Sequence, residues 1–108
     1  MDKATDFEIF MKLNTAAKRT DVKLTYTNKL FFIRLLNLCT LEGEETKEGY
    51  KIRMSALELA DKLDISSKMV IKSVDTLVAC GAVKRYVTNK KLQESYDTIL
   101  TPQFYEKE

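Results

Sequence analysis

Ser66, Ser67, Lys68, Lys72, Ser73 and Thr76 fall within one short stretch of the chain. Hydroxyls and ammonium groups set along one helix suit hydrogen bonding to phosphate oxygens and base edges more than bond breaking. The materials for catalysis are thin. There is no histidine, which removes the commonest general base and zinc ligand. No Gly-rich phosphate loop, metal-ligand spacing or nucleophile–base pairing is visible, so an enzyme, a metal site and a cofactor are not expected. Asp61 with Asp64 and Glu44 with Glu45 are paired acids by spacing only and read as surface charges. Cys39 and Cys80 each sit in an apolar helical run and read as buried, reduced thiols.

The elements that would position the polar stretch begin at Ser55. Ser55 and Glu58 have the spacing of a capping box, and Leu59, Ala60 and Leu63 fall on one helical face behind it. Asp64, Ile65 and Ser66 leave room only for a turn, with Ile65 as an apolar plug. Ser66 or Ser67 caps a second helix over 66–80, which stops at Gly81. On this helix Val70, Val74 and Leu77 share a narrow apolar stripe. Lys72 lies opposite, with Lys68, Asp75 and Thr76 around it and Met69 and Ile71 on the flanks. Val83 to Val87 reads as a strand, Thr88 to Lys91 as a hairpin tip, and Ser95 to Leu100 as the returning strand. Pro102 ends it, because proline cannot donate to a ladder.

Net charge is only +2 over 108 residues, so global basicity does not announce a nucleic acid partner. Its distribution is more informative. From Lys62 to Lys91 seven basic residues face two acidic ones, a net +5 that coincides with the helix pair and hairpin. Residues 42–49 form an acidic loop instead.

Upstream, Thr5 and Glu8 make another capping box, so a helix starts near residue 6. Phe7, Phe10, Met11 and Asn14 share a face, and such a stripe must pack on its own domain or on a second copy. Residues 22–26 read as a short extended connection. Thr27 or Asn28 then caps a helix to about Leu41, apolar enough from Leu30 to Cys39 to be largely buried. Ile52 and Met54 alternate with charged residues, as in a half-buried strand. Phe104 and Tyr105 either dock the tail or fray with it. No signal-peptide core and no apolar run near the ~20 residues of a membrane span is present, so a cytoplasmic protein is expected.

Residues 55–101 resemble the winged helix-turn-helix of bacterial, plasmid and phage regulators. The resemblance is carried by Leu59-Ala60, Ile65-Ser66, Val70, Val74, Leu77, Gly81 and Val83. It implies an α+β, mainly α fold: a single winged-helix domain over 1–108. That domain would comprise an N-terminal helix (1–20), a helix-turn-helix (55–81) and a two-stranded β wing (83–101). The layout is most similar to TubR-type centromere-binding adaptors of DNA partition. Such proteins dimerise, coat DNA repeats and link them to filaments of a tubulin-like GTPase. Double-stranded DNA contacts are then expected at Ser66, Ser67, Lys68, Met69, Lys72, Ser73, Thr76, Arg85, Asn89, Lys90 and Lys91. Only one of Lys84 and Arg85 can face the duplex, since strand neighbours alternate. A homodimer is implied, with Phe7, Phe10 and Met11 at its interface and Ile71, with Met69, near the two-fold axis. A transcriptional repressor of the same fold, or a winged domain that binds only protein, stays open.

Overall fold

The computed structural model describes residues 3–87 and 96–107. The fold is α+β and mainly helical, with an element order compatible with the winged-helix class. Two helices come first, α1 (Asp6–Thr20) and α2 (Tyr26–Glu42). A hairpin of β1 (Glu44–Thr46) and β2 (Gly49–Met54) follows. The helix pair α3 (Ala56–Leu63) and α4 (Ser67–Ala79) leads to β3 (Val83–Val87) and β4 (Tyr96–Leu100), and a 3-10 turn closes the chain at Pro102–Phe104. All strands pair antiparallel in the order β1-β2-β4-β3. The strand before the helix pair therefore joins the later hairpin, with Ile52 opposite Thr98 and Arg85 opposite Thr98 on the other side.

Helix α2 is the centre of the core. Phe31, Phe32, Ile33, Leu35, Leu36, Leu38 and Cys39 are all buried, and only residues such as Leu30 and Leu41 turn outward. Around it pack Ile9 and Leu13 from α1, Leu59 and Leu63 from α3, Val70, Val74 and Leu77 from α4, and Val83 and Leu100 from the sheet. Burying each large apolar side chain contributes about 1.5–3 kcal/mol before the entropy of ordering is subtracted.

Capping boxes fix where three helices start. Ser55 Oγ accepts from the Glu58 N–H (3.1 Å) while Glu58 Oε1 accepts from the Ser55 N–H (3.1 Å). Thr5 and Glu8 do the same for α1. At α2 the box is Thr25 with Asn28, so this helix begins earlier than the Thr27 or Asn28 cap expected from sequence. The α3–α4 turn depends on Asp64 in the left-handed region (φ 55) and on the Ile65 N–H donating to Ala60 O (3.1 Å). Helix α4 ends at Ala79, and Gly81 takes φ +87 just beyond it. At Gly49 (φ +131) β2 crosses so near β4 that an added Cβ would lie 2.0 Å from the Leu100 carbonyl oxygen.

One further expectation changes, and two open alternatives narrow. The acidic stretch 42–49 is no plain loop: Glu44 to Thr46 pair with Gly49 to Lys51, and Thr46 Oγ1 donates to Gly49 O (2.7 Å) across the turn. In α1 the stripe turned to the core is Ile9, Leu13, Ala16 and Ala17, while Phe7 and Met11 point away. The tail docks, with Phe104 and Tyr105 buried, the Tyr105 hydroxyl accepting from the Tyr50 N–H (3.0 Å), and the Ala4 N–H donating to Tyr105 O (2.7 Å). Among the described residues no helix is long and apolar enough to cross a membrane.

Two tests follow from this packing. Asn28 Nδ2 donates to Ser73 Oγ (3.2 Å) in the interior. Ser73→Ala strands a buried amide and is expected to cost about 1–3 kcal/mol in urea unfolding. Both cysteines are free and buried, and desolvation lifts the Cys39 thiol from 9.0 to about 12. Above pH 9 an unfolded Cys39 ionises while the folded one stays protonated, so this group's contribution to stability falls from pH 9 towards 12. A thiol reagent at neutral pH should label neither cysteine until denaturant is added.

Candidate nucleic-acid interface

The back of α4 is fixed by Val70, Val74 and Leu77 against the core and by the Asn28–Ser73 hydrogen bond. That anchoring sets which side chains face outward. Lys68, Ile71, Lys72 and Asp75 are exposed, with Ser67, Met69 and Thr76 half-buried beside them. At 3.6 residues per turn Lys68, Lys72 and Asp75 run along one face. Among the described residues neither Lys68 nor Lys72 has an ion-pair partner. Three other basic side chains are occupied: Lys51 by Glu44 (3.0 Å), Lys62 by Glu42 (3.0 Å) and Arg53 by Asp97 (2.8 Å). Arg53 holds Asp97 with two nitrogens, and this hydrogen bond draws the carboxyl below its usual range.

The helix start adds a second cationic feature. Ser66 Oγ accepts from the Met69 N–H (3.1 Å), leaving its own hydroxyl hydrogen at the positive end of the helix dipole with Ser67 and Lys68. The Thr76 hydroxyl donates back to Lys72 O (2.9 Å), so only its acceptor capacity faces a partner.

One expected contact is excluded by burial, and a second side chain is already engaged within the protein. Ser73 is 0% exposed and holds Asn28, so it is a packing residue and cannot touch DNA. Its place on the wheel, beside Lys72 in sequence, hid this, because a serine serves an interior amide as readily as a phosphate. Arg85 is on the helix-facing side of β3, where its guanidinium stacks 3.7 Å from the Tyr96 ring centroid and lies 3.6 Å from Asp75 Oδ1. It braces β3 against α4 and pairs with Asp75. Lys84, on the opposite face, is exposed. Asn89, Lys90 and Lys91 lie outside the described residues.

The residues expected at a dimer contact are on the surface. Phe7 is 72% and Met11 50% exposed, and Phe10 is half-buried. Sequence reading missed that α2 extends this face. Tyr26 is 65% exposed with its ring centroid 5.7 Å from that of Phe10, and Leu30 is one turn further on. Lys29 ties the two helices by donating to Asn14 Oδ1 (2.8 Å) beneath the Phe10 ring. The Thr25–Asn28 spacing was the available signal, since it places Tyr26 as the first helical residue.

An open groove of about 400 Å³ lies between α1 and the tail, lined by Lys12, Thr15, Arg19 and Gln103 among others. Lys12 Nζ donates there to the carbonyls of Gln103 (3.0 Å) and Glu106 (2.8 Å). Among the described residues no cluster of three His, Cys, Asp or Glu could hold a metal ion. No protein-family model matches the chain, and no curated protein matches it.

Proposed function

We propose that the chain binds double-stranded DNA as a homodimer of winged-helix type, with α4 entering the major groove. The observation that carries this is the exposed pair Lys68 and Lys72, without an ion-pair partner among the described residues, on a helix whose back is locked into the core. The major groove is about 12 Å wide and accepts one such helix. Lys68 and Lys72 meet phosphates or guanine acceptors, and Ser66 and Ser67 meet a phosphate at the helix N-terminus. Met69 and Thr76 line the approach.

The second copy docks on the face formed by Phe7, Phe10, Met11 and Tyr26. Exposed large apolar side chains gathered on one face of a small domain favour an interaction site. Dimerisation doubles the DNA interface, which a single small module needs for specific affinity. The resemblance to TubR-type adaptors supports a role in DNA partition, in which dimers on repeated sites engage a tubulin-like GTPase. Repression of a promoter uses the same DNA chemistry and differs in the arrangement of sites.

Lys68→Ala with Lys72→Ala should abolish the mobility shift of a binding duplex while leaving the unfolding midpoint unchanged. Each phosphate contact contributes about 0.9 to the slope of log affinity against log salt, so the double variant should flatten that slope by about 1.8 per protomer. Undiminished binding by the folded double variant would remove α4 as the reader. Phe7→Glu should convert a dimer to a monomer in sedimentation at micromolar concentration. A wild-type chain already monomeric there would refute the dimer.

A further inference from the structure

We propose that Ile71 selects thymine, its exposed side meeting the 5-methyl group of that base in the major groove beside the contacts of Lys68 and Lys72. This rests on the DNA-binding reading above and extends it from phosphate attraction to base choice. Lys68, Ile71 and Lys72 are related as i, i+3 and i+4, so they share one exposed face. An exposed isoleucine by itself carries little information. Its setting is what matters here.

Ile71 is 44% exposed. Its inner side closes a small apolar cleft of about 10 Å³, whose other walls include Leu59, Val70, Val74 and Tyr96. β-branching restricts its first torsion. The outer half is therefore a held apolar knob beside two cations, needing little ordering on contact. A neighbouring acid would repel phosphate, but Asp75 one turn on is engaged by Arg85. Base edges in the major groove present hydrogen-bond donors and acceptors and one apolar group, the thymine methyl. Isoleucine over any other edge leaves polar groups dehydrated and unpaired, which costs affinity.

The test uses selection from a random-sequence duplex pool by the full chain, then resynthesis of the enriched duplex with deoxyuridine replacing thymidine. This removes methyl groups and nothing else. The wild-type chain should lose about fourfold in affinity for each methyl buried. Ile71→Ala should bind the thymidine duplex more weakly by a similar factor and no longer distinguish the two duplexes, and Ile71→Val should retain part of the discrimination. Unchanged wild-type affinity for the deoxyuridine duplex would overturn the proposal while leaving the lysine contacts standing. Equal losses in wild type and Ile71→Ala would overturn it too, by assigning the methyl to another residue. A pool from which nothing is enriched would overturn this proposal alone, and no mobility shift on any duplex would overturn the DNA reading with it.

Discussion

One side-chain amide holds the arrangement in register. Asn28 accepts the Thr25 N–H at the start of α2 and donates to Ser73 in the middle of α4. Apolar packing is tolerant of small rotations, whereas a hydrogen bond weakens steeply when misaligned. The Asn28–Ser73 bond therefore fixes the rotation of α4 about its own axis, and with it which residues point outward. A second polar tie works at the neighbouring helix: Arg34 donates from α2 to the Leu63 carbonyl at the end of α3. Both members of the helix pair are thus indexed to the same buried helix. Among the described residues no buried side-chain polar atom is left without a partner, which is the condition under which interior polar groups add order without a large penalty.

Surface electrostatics follow from this indexing. Acidic and basic side chains of the sheet and helix ends are matched pairwise, Glu44 with Lys51, Asp97 with Arg53, Glu42 with Lys62 and Asp75 with Arg85. Exposed pairs of this kind add little to stability. Among the described residues Lys68 and Lys72 stand outside these pairs, on a chain whose net charge is +2. A small overall charge and a pronounced local field are compatible, and it is the local field that steers an anionic partner.

Local signals carried most of the element reading. Ser55 with Glu58 and Thr5 with Glu8 are reciprocal hydrogen bonds between residues three apart, so the spacing alone locates those helix starts. The alternation through Ile52 and Met54 and the Val83–Val87 run likewise needed no distant partner. What escaped depended on neighbours far along the chain. Ser73 looks like a surface polar residue until Asn28 arrives from 45 positions away. Ile9 and Leu13 are the α1 residues the core takes, because the inward face of α1 is set by partners on α2 and the tail and not by the aromatic stripe itself. Glu44 to Thr46 form a strand against poor intrinsic propensity, held by the tight turn to Gly49, a position that excludes any side chain.

The clasp between the chain ends has a reach beyond its own hydrogen bonds. Ala4 is joined to Tyr105, Lys3 is bridged to Glu106, and Lys12 on α1 grips two carbonyls of the tail. The tilt of α1 is therefore inherited in part from residues 103–106. In a dimer built on the outer face of α1, that tilt decides how far apart the two α4 helices stand and hence how many base pairs separate the two halves of a site. On the proposed DNA-binding reading, a substitution near Gln103 or Tyr105 then alters the preferred spacing of the two half-sites through the dimer contact alone.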